Sequence, residues 1–256
     1  MLYTAKSLKG FRLQATDGEL GSVQEFYFDD THWAVRYLIA DTGTWLSGRQ
    51  VLISPYALGA VDVRARSIAV QLTKKKIEGS PSLGSDLPVS QQFEGDYNAY
   101  FGWPIYWGGP FMWGANPYLS RGLQASLQGG PTHKPWNPHL RSSRHLTGHV
   151  ISAKDGEIGH VADFIVDDGT WAVRYLVIDT HAWWPGKKVL IAPRWIESIN
   201  WDHGGTMNID LKRDAIRMSP EYTEDGLLGR NHEAALHKHY GRKEYWAEET
   251  PTPGGR

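Results

Sequence analysis

The apolar and polar positions along the chain alternate with the two-residue period of β-strands. Apolar, β-branched and aromatic residues recur at strand spacing over residues 19–28 and again over 34–41, and the turn residues Asp29, Asp30, Thr31 and His32 separate the two runs. A long β-hairpin is predicted there. Asp17-Gly18-Glu19 supplies the tight Asp-Gly turn that leads into it from a preceding strand. Shorter runs over 51–54, 58–63 and 68–72 continue the meander. A sheet this small has to curl on itself to hide its edges, so a closed barrel is expected. One helical turn over 74–78, ended by Gly79 and Pro81, follows the last strand.

The same pattern is written twice. Residues 8–56 recur without a gap as 146–194, and the densest part reads DDTHWAVRYLIADT from Asp29 and DDGTWAVRYLVIDT from Asp167. After one extra residue near Trp201, residues 68–81 lie over 207–220, and Gly102, Tyr106 and Trp107 fall on Gly241, Tyr245 and Trp246. A whole unit has been duplicated, not a short motif. Residues 90–100 and 231–240 predict short helices, each stopped by the glycine at 102 or 241. The expected partition is a first barrel over 1–82, a helical aromatic tail over 83–107, a Gly/Pro/Trp-rich linker over 108–140, a second barrel over 141–221 and a second helical tail over 222–256. The fold class is therefore all-β, two duplicated small barrels with a short helical aromatic tail after each.

Composition narrows the function. Lys and Arg total 27 against 28 Asp and Glu, a net charge of −1, so no global field draws nucleic acid and a nucleic-acid partner is not expected. No cysteine is present, which removes disulfides, thiol catalysis and thiolate metal sites. No run approaches the roughly 18 apolar residues of a membrane span, and residues 1–10 lack an apolar secretion core, so a cytoplasmic protein without a transmembrane segment is expected. A barrel of roughly 80 residues is marginal alone, which favours intramolecular barrel–barrel pairing, a homo-oligomer or a bound partner.

The Asp-Gly turn, the Phe-x-x-Asp-Asp hairpin, the Trp-Ala-Val-Arg-Tyr-Leu strand and the Val-Leu-Ile-x-Pro segment, present in both copies, resemble the PRC-barrel family. The resemblance covers residues 8–81 and 146–220. It implies a small β-barrel, as in the cytoplasmic part of the photosynthetic reaction-centre H subunit and in a ribosome-maturation factor, where the domain works mainly as an adaptor. This chain differs from the first in lacking a membrane helix and from the second in having two barrels with matching tails. The expected function is a non-enzymatic interaction or scaffold module for a protein partner. An RNA- or ribosome-associated assembly factor and a reaction-centre accessory protein are the alternatives.

Candidate chemistry agrees with an adaptor, since no nucleophile–base arrangement and no phosphate-binding Gly-rich loop stands out. No catalytic residue, cofactor or metal is expected. His232, His237 and His239 cluster, but the first copy carries Phe93, Asn98 and Tyr100 at the matching positions. Arg36 and Arg174 sit inside a hydrophobic strand and need a carboxylate. Asp41 and Asp179 are the assigned partners, with Glu25 and Asp163 as further candidates. The 12 Trp and 12 Tyr exceed what two small cores hide. Trp45, Leu46, Trp183 and Trp184, in the loops before the Val-Leu-Ile strands, are the expected partner-binding residues. Trp103, Tyr106, Trp107, Tyr240, Tyr245 and Trp246 are expected to pack the tails onto a barrel.

Overall fold

In the computed structural model the described residues are 1–46, 49–81, 89, 91–106, 139–180, 187–202, 204–224 and 228–249. The first copy contributes β1 (Leu2–Thr4), α1 (Ala5–Leu8), β2 (Arg12–Ala15), β3 (Gly18–Asp29), β4 (Ala34–Asp41), β5 (Gln50–Ile53), β6 (Leu58–Asp62), β7 (Ser67–Val70), α2 (Lys74–Glu78) and α3 (Gln91–Phe101). The second repeats the order as β8 (Leu140–Ser142), α4 (Ser143–Leu146), β9 (Val150–Ala153), β10 (Gly156–Asp167), β11 (Val173–Asp179), β12 (Lys188–Ile191), β13 (Ile196–Ile199), β14 (Thr206–Ile209), α5 (Arg213–Arg217) and α6 (Arg230–His239). A last helix, α7, spans Tyr245–Glu249.

Each sheet has seven strands and is mixed. One runs β5-β4-β3-β2-β7-β6, the other β12-β11-β10-β9-β14-β13. The hairpins are antiparallel, but β2 pairs with β7, and β9 with β14, in parallel, because each of those pairs brings together strands distant in the chain. The alternation that predicted the strands sets their inward faces: Leu13, Phe26, Leu38, Leu52 and Ile68 are fully buried in the first sheet, and Ile151, Phe164, Leu176, Leu190 and Met207 in the second. Gly21 and Gly159 let backbone cross backbone. A Cβ on either would stand 2.0 Å from the carbonyl oxygen of Asp41 or Asp179, at φ of +135° and +145°.

The two compact units of the chain do not coincide with the two copies. Unit 1 holds Met1, Tyr3–His145 and Val166–Val173; unit 2 holds Leu2, Leu146–Ile165 and Arg174–Arg256. The seventh strand of the first sheet is β8, which opens the second copy and pairs antiparallel with β3 through Tyr27–Ser142, Phe28–Arg141 and Asp29–Leu140. Two carboxylates of the hairpin hold it. Glu25, 6% exposed, accepts from the Ser142 hydroxyl and lies 3.2 Å from Arg144 Nε. Asp30 lies 2.8 Å from Arg141 Nε and 2.9 Å from His139 Nδ1.

Unit 1 is thus built from both copies, joined by the pairing of β8 with β3. A protease site placed within positions 108–138 and cut in the folded protein is expected to leave two fragments that co-elute in native size-exclusion chromatography and part only in denaturant. Separation in native buffer would refute the shared construction of unit 1.

Candidate functional site

The loop after β4 is the first place the sequence assigns to a partner. Asp41 Oδ1 accepts from Gly43 N–H at 2.9 Å, and Thr42 donates its hydroxyl to the Arg49 carbonyl at 2.9 Å, closing the loop's neck. The Arg49 guanidinium then donates to the carbonyls of Glu78 at 3.3 Å, of Pro81 at 2.8 Å and of Ser80, capping the end of α2. At the other end of that helix Asp17 Oδ1 accepts from Lys74 N–H at 2.8 Å. The Lys74 ammonium in turn stands 4.5 Å over the Trp45 ring. Trp45 and Leu46 are half-buried on this frame. A cation over an indole at such a site contributes about 0.5–1 kcal/mol.

Unit 2 repeats the frame. Thr180 donates to the Lys187 carbonyl at 2.8 Å, Lys187 Nζ donates to the Ser219 carbonyl at 2.9 Å, and Asp155 accepts from Arg213 N–H at 2.8 Å. Trp183 and Trp184 lie outside the described residues.

The tails are tied to their own units by tyrosine–carboxylate latches that sequence reasoning missed. In unit 1, Glu94 of α3 is fully buried and accepts from the Tyr106 hydroxyl at 2.8 Å. Asn98 Nδ2 donates to the Tyr37 hydroxyl of β4 at 3.2 Å, and Tyr97 donates to the Leu52 carbonyl of β5 at 2.7 Å. Trp103 stacks on Phe101 with centroids 4.3 Å apart. In unit 2, Glu233 of α6, 2% exposed, accepts from Tyr245 at 2.8 Å and Tyr175 at 3.1 Å. Tyr240 packs on Trp195 at 4.9 Å, and burial pushes its hydroxyl up to about 12. Trp246 lies against Arg230 and the edge of His237. Trp107 lies outside the described residues. The signal available in the sequence was that Glu94 and Glu233 occupy the same place in each copy, with matching tyrosines at 37 and 175 and at 106 and 245.

Arg36 finds a carboxylate, but not the assigned one. Its guanidinium lies 2.8 Å from Asp29 Oδ2, with both side chains buried, and 4.3 Å over the Tyr106 ring. Asp41 instead closes the Gly43 turn. The reason is a bulge: Tyr27 pairs with Tyr37 and Phe28 with Val35, so Arg36 is the extra residue of β4 and its side chain is re-aimed towards the hairpin end. Arg174, at the matching position, lies 4.0 Å over the Tyr245 ring. Burial alone would raise the pKa of Asp29, but hydrogen bonds from His32 and Arg36 and the Arg36 charge outweigh it and hold the carboxyl well below its usual range.

The clustered histidines face different partners. His237 is fully buried with Nε2 3.0 Å from the Tyr175 hydroxyl, whereas His239 is exposed with Nε2 2.7 Å from the Ala215 carbonyl. Among the described residues no group of three or more His, Asp or Glu is arranged to hold a metal, and no helix is long and apolar enough to cross a membrane.

The same strand order, with the parallel pairs β2–β7 and β9–β14, is repeated in two mixed sheets. Residues 1–77 match the PRC-barrel domain family. The first copy is accordingly a PRC-barrel domain, and the second copy folds with the same strand order, which makes the arrangement a tandem one. No curated protein matches the chain.

Proposed function

We propose that the chain is a non-catalytic two-headed scaffold that captures a protein partner at the loops bearing Trp45-Leu46 and Trp183-Trp184. The observation carrying this reading is the pinned frame of the first loop: Asp17, Lys74, Thr42 and Arg49 fix the backbone on both sides of a half-buried indole. A rigid aromatic anchor of this kind costs little ordering entropy on binding. Among the tail aromatics, Tyr97, Phe101, Tyr240 and Tyr245 are buried within their own units. The buried acids Asp29, Glu25, Glu94 and Glu233 are likewise held by serine, tyrosine, histidine or arginine donors, which is the use made of them by a structural network.

The test is capture by the immobilised full chain, comparing wild type with Trp45→Ala and with Trp183→Ala/Trp184→Ala, each with and without nuclease treatment. A protein retained by wild type through nuclease and lost by the variants, whose thermal midpoints stay near wild type, is the expected result. Capture undiminished by all three substitutions refutes the assignment. Material that vanishes with nuclease transfers the function to an RNA-associated factor.

A further inference from the structure

The two latches differ at one residue. Where α3 carries Asn98 against Tyr37, α6 carries His237 against Tyr175. The imidazole is fully buried and ringed by Tyr175, Trp195, Tyr245 and Trp246, with centroids 5.4–6.3 Å away. Its hydrogen bonds assign its proton. Tyr175 has one hydroxyl proton, and Glu233 Oε1, 3.1 Å away, accepts it. His237 therefore donates Nε2–H to the Tyr175 oxygen, and a chain of donors runs from imidazole to tyrosine to carboxylate, joined there by the Tyr245 hydroxyl and by Arg230 Nη1 at 3.2 Å from Oε2. Nδ1 is buried and meets no acceptor at hydrogen-bonding geometry among the described residues, so the ring carries its single proton on Nε2 and is neutral.

We propose that His237 makes the docking of α6 and α7 in unit 2 acid-labile, a pH-sensitive latch that unit 1 lacks because Asn98 stands in its place. The groups facing the ring come from every element around it. From β11 come Tyr175 and Arg174, from the turn Pro193–Trp195 comes Arg194, from α6 itself come Glu233 and Arg230, and from the segment into α7 come the carbonyls of Arg242 and Lys243, the Glu244 charge and Tyr245. Burial lowers the imidazole pKa most, and the charge of Arg194 acts in the same sense; the two carbonyls and Glu244 oppose them without reversing the direction.

The sign follows from linkage. A histidine whose pKa is depressed when docked takes up its proton more readily when released, so its contribution is full above the ordinary value near 6.5 and is lost as the pH falls below it. Glu233, raised chiefly by burial, acts oppositely: the docked state binds its proton more readily, so it adds stability as the pH falls, and the His237→Asn comparison separates the two contributions. The lability is read between pH 7.5 and 5.5, on either side of the ordinary imidazole value. Release uncovers Tyr240, Tyr245, Trp195 and the Arg174 guanidinium, an aromatic and cationic face hidden at neutral pH.

The experiment is hydrogen exchange by mass spectrometry on the full chain at pH 7.5 and 5.5, corrected for intrinsic rates, together with C2–H exchange of the histidine rings. With a neutral docked imidazole, the opening constant of α6 rises by at most about tenfold across this range. That rise is expected in α6 and not in α3, is abolished in His237→Asn, and accompanies a His237 titration below the ordinary imidazole value. Equal protection of α6 at both pH values, or the same rise in His237→Asn, overturns the proposal. A His237 titration at or above about 6.5 overturns it even if the variant does not fold.

Discussion

Asp29→Ala is expected to lower the stability of unit 1 by about 3–5 kcal/mol, the cost of removing one partner from a buried ion pair. Asp29 and Arg36 are 3% and 1% exposed, so neither charge is screened by water. The carboxylate also accepts from the backbone N–H of Thr31 at 2.8 Å and of His32 at 3.3 Å, and lies 2.9 Å from His32 Nδ1. The substitution therefore loosens the turn while leaving the guanidinium without its counter-charge. Replacing both groups, as Asp29→Asn with Arg36→Met, keeps an acceptor for the turn and removes the buried cation, and recovers most of the loss. The pair also sets an acid limit. Because the Asp29 pKa is held low when folded, its contribution is present above the unfolded value near 3.8 and is lost as the pH falls below it. Urea midpoints measured down through that range are expected to fall more steeply for wild type than for the double variant. Parallel pH profiles, or a single variant as stable as the double one, contradict the ion-pair account.

How much of this was legible in the sequence depended on the range of the interaction. The hairpin of β3 and β4 was legible because alternation and turn residues are local signals, and the α3 and α6 stops were legible because Gly102 and Gly241 adopt φ of +74° and +62° as helix-ending residues do. The strand β8 was not legible. Leu140-Arg141-Ser142 is too short to show a period, and its partner lies more than a hundred residues away. Arg36 shows a subtler failure. A two-residue period places 36 and 41 on opposite faces, which already argued against their pairing, but the bulge that aims Arg36 at Asp29 depends on a register no single strand displays. The burial of Glu94 and Glu233 is set by tyrosines from other elements, so no local pattern marks it. The loop of Trp45 is marked in the sequence by its aromatic residue alone, whereas the Lys74 ammonium above it comes from a helix whose position only the fold supplies.

Trp171→Ala is the substitution that separates copies from units most sharply. Trp171 belongs to the second copy by sequence and to unit 1 by position, where it is fully buried beside Phe26 with ring centroids 6.3 Å apart. Its carbonyl accepts from Val35 N–H at 2.8 Å, and the carbonyl of its counterpart Trp33 accepts from Val173 N–H at 2.7 Å. Both tryptophans sit in the left-handed region, at φ of 54° and 56°, a strained conformation that the surrounding packing maintains. Removing the buried indole is expected to cost about 3–5 kcal/mol through lost burial and the cavity left behind. Trp171→Phe is expected to cost much less, because the indole N–H is buried without a hydrogen-bond partner among the described residues, so its loss breaks no bond. Hydrogen exchange locates the damage. The protection lost in Trp171→Ala is expected in β3, β4 and β8, although the change lies in the second copy; a loss confined to α6 and β12 would mean that each copy folds as its own unit and that the exchanged segments contribute little to unit 1.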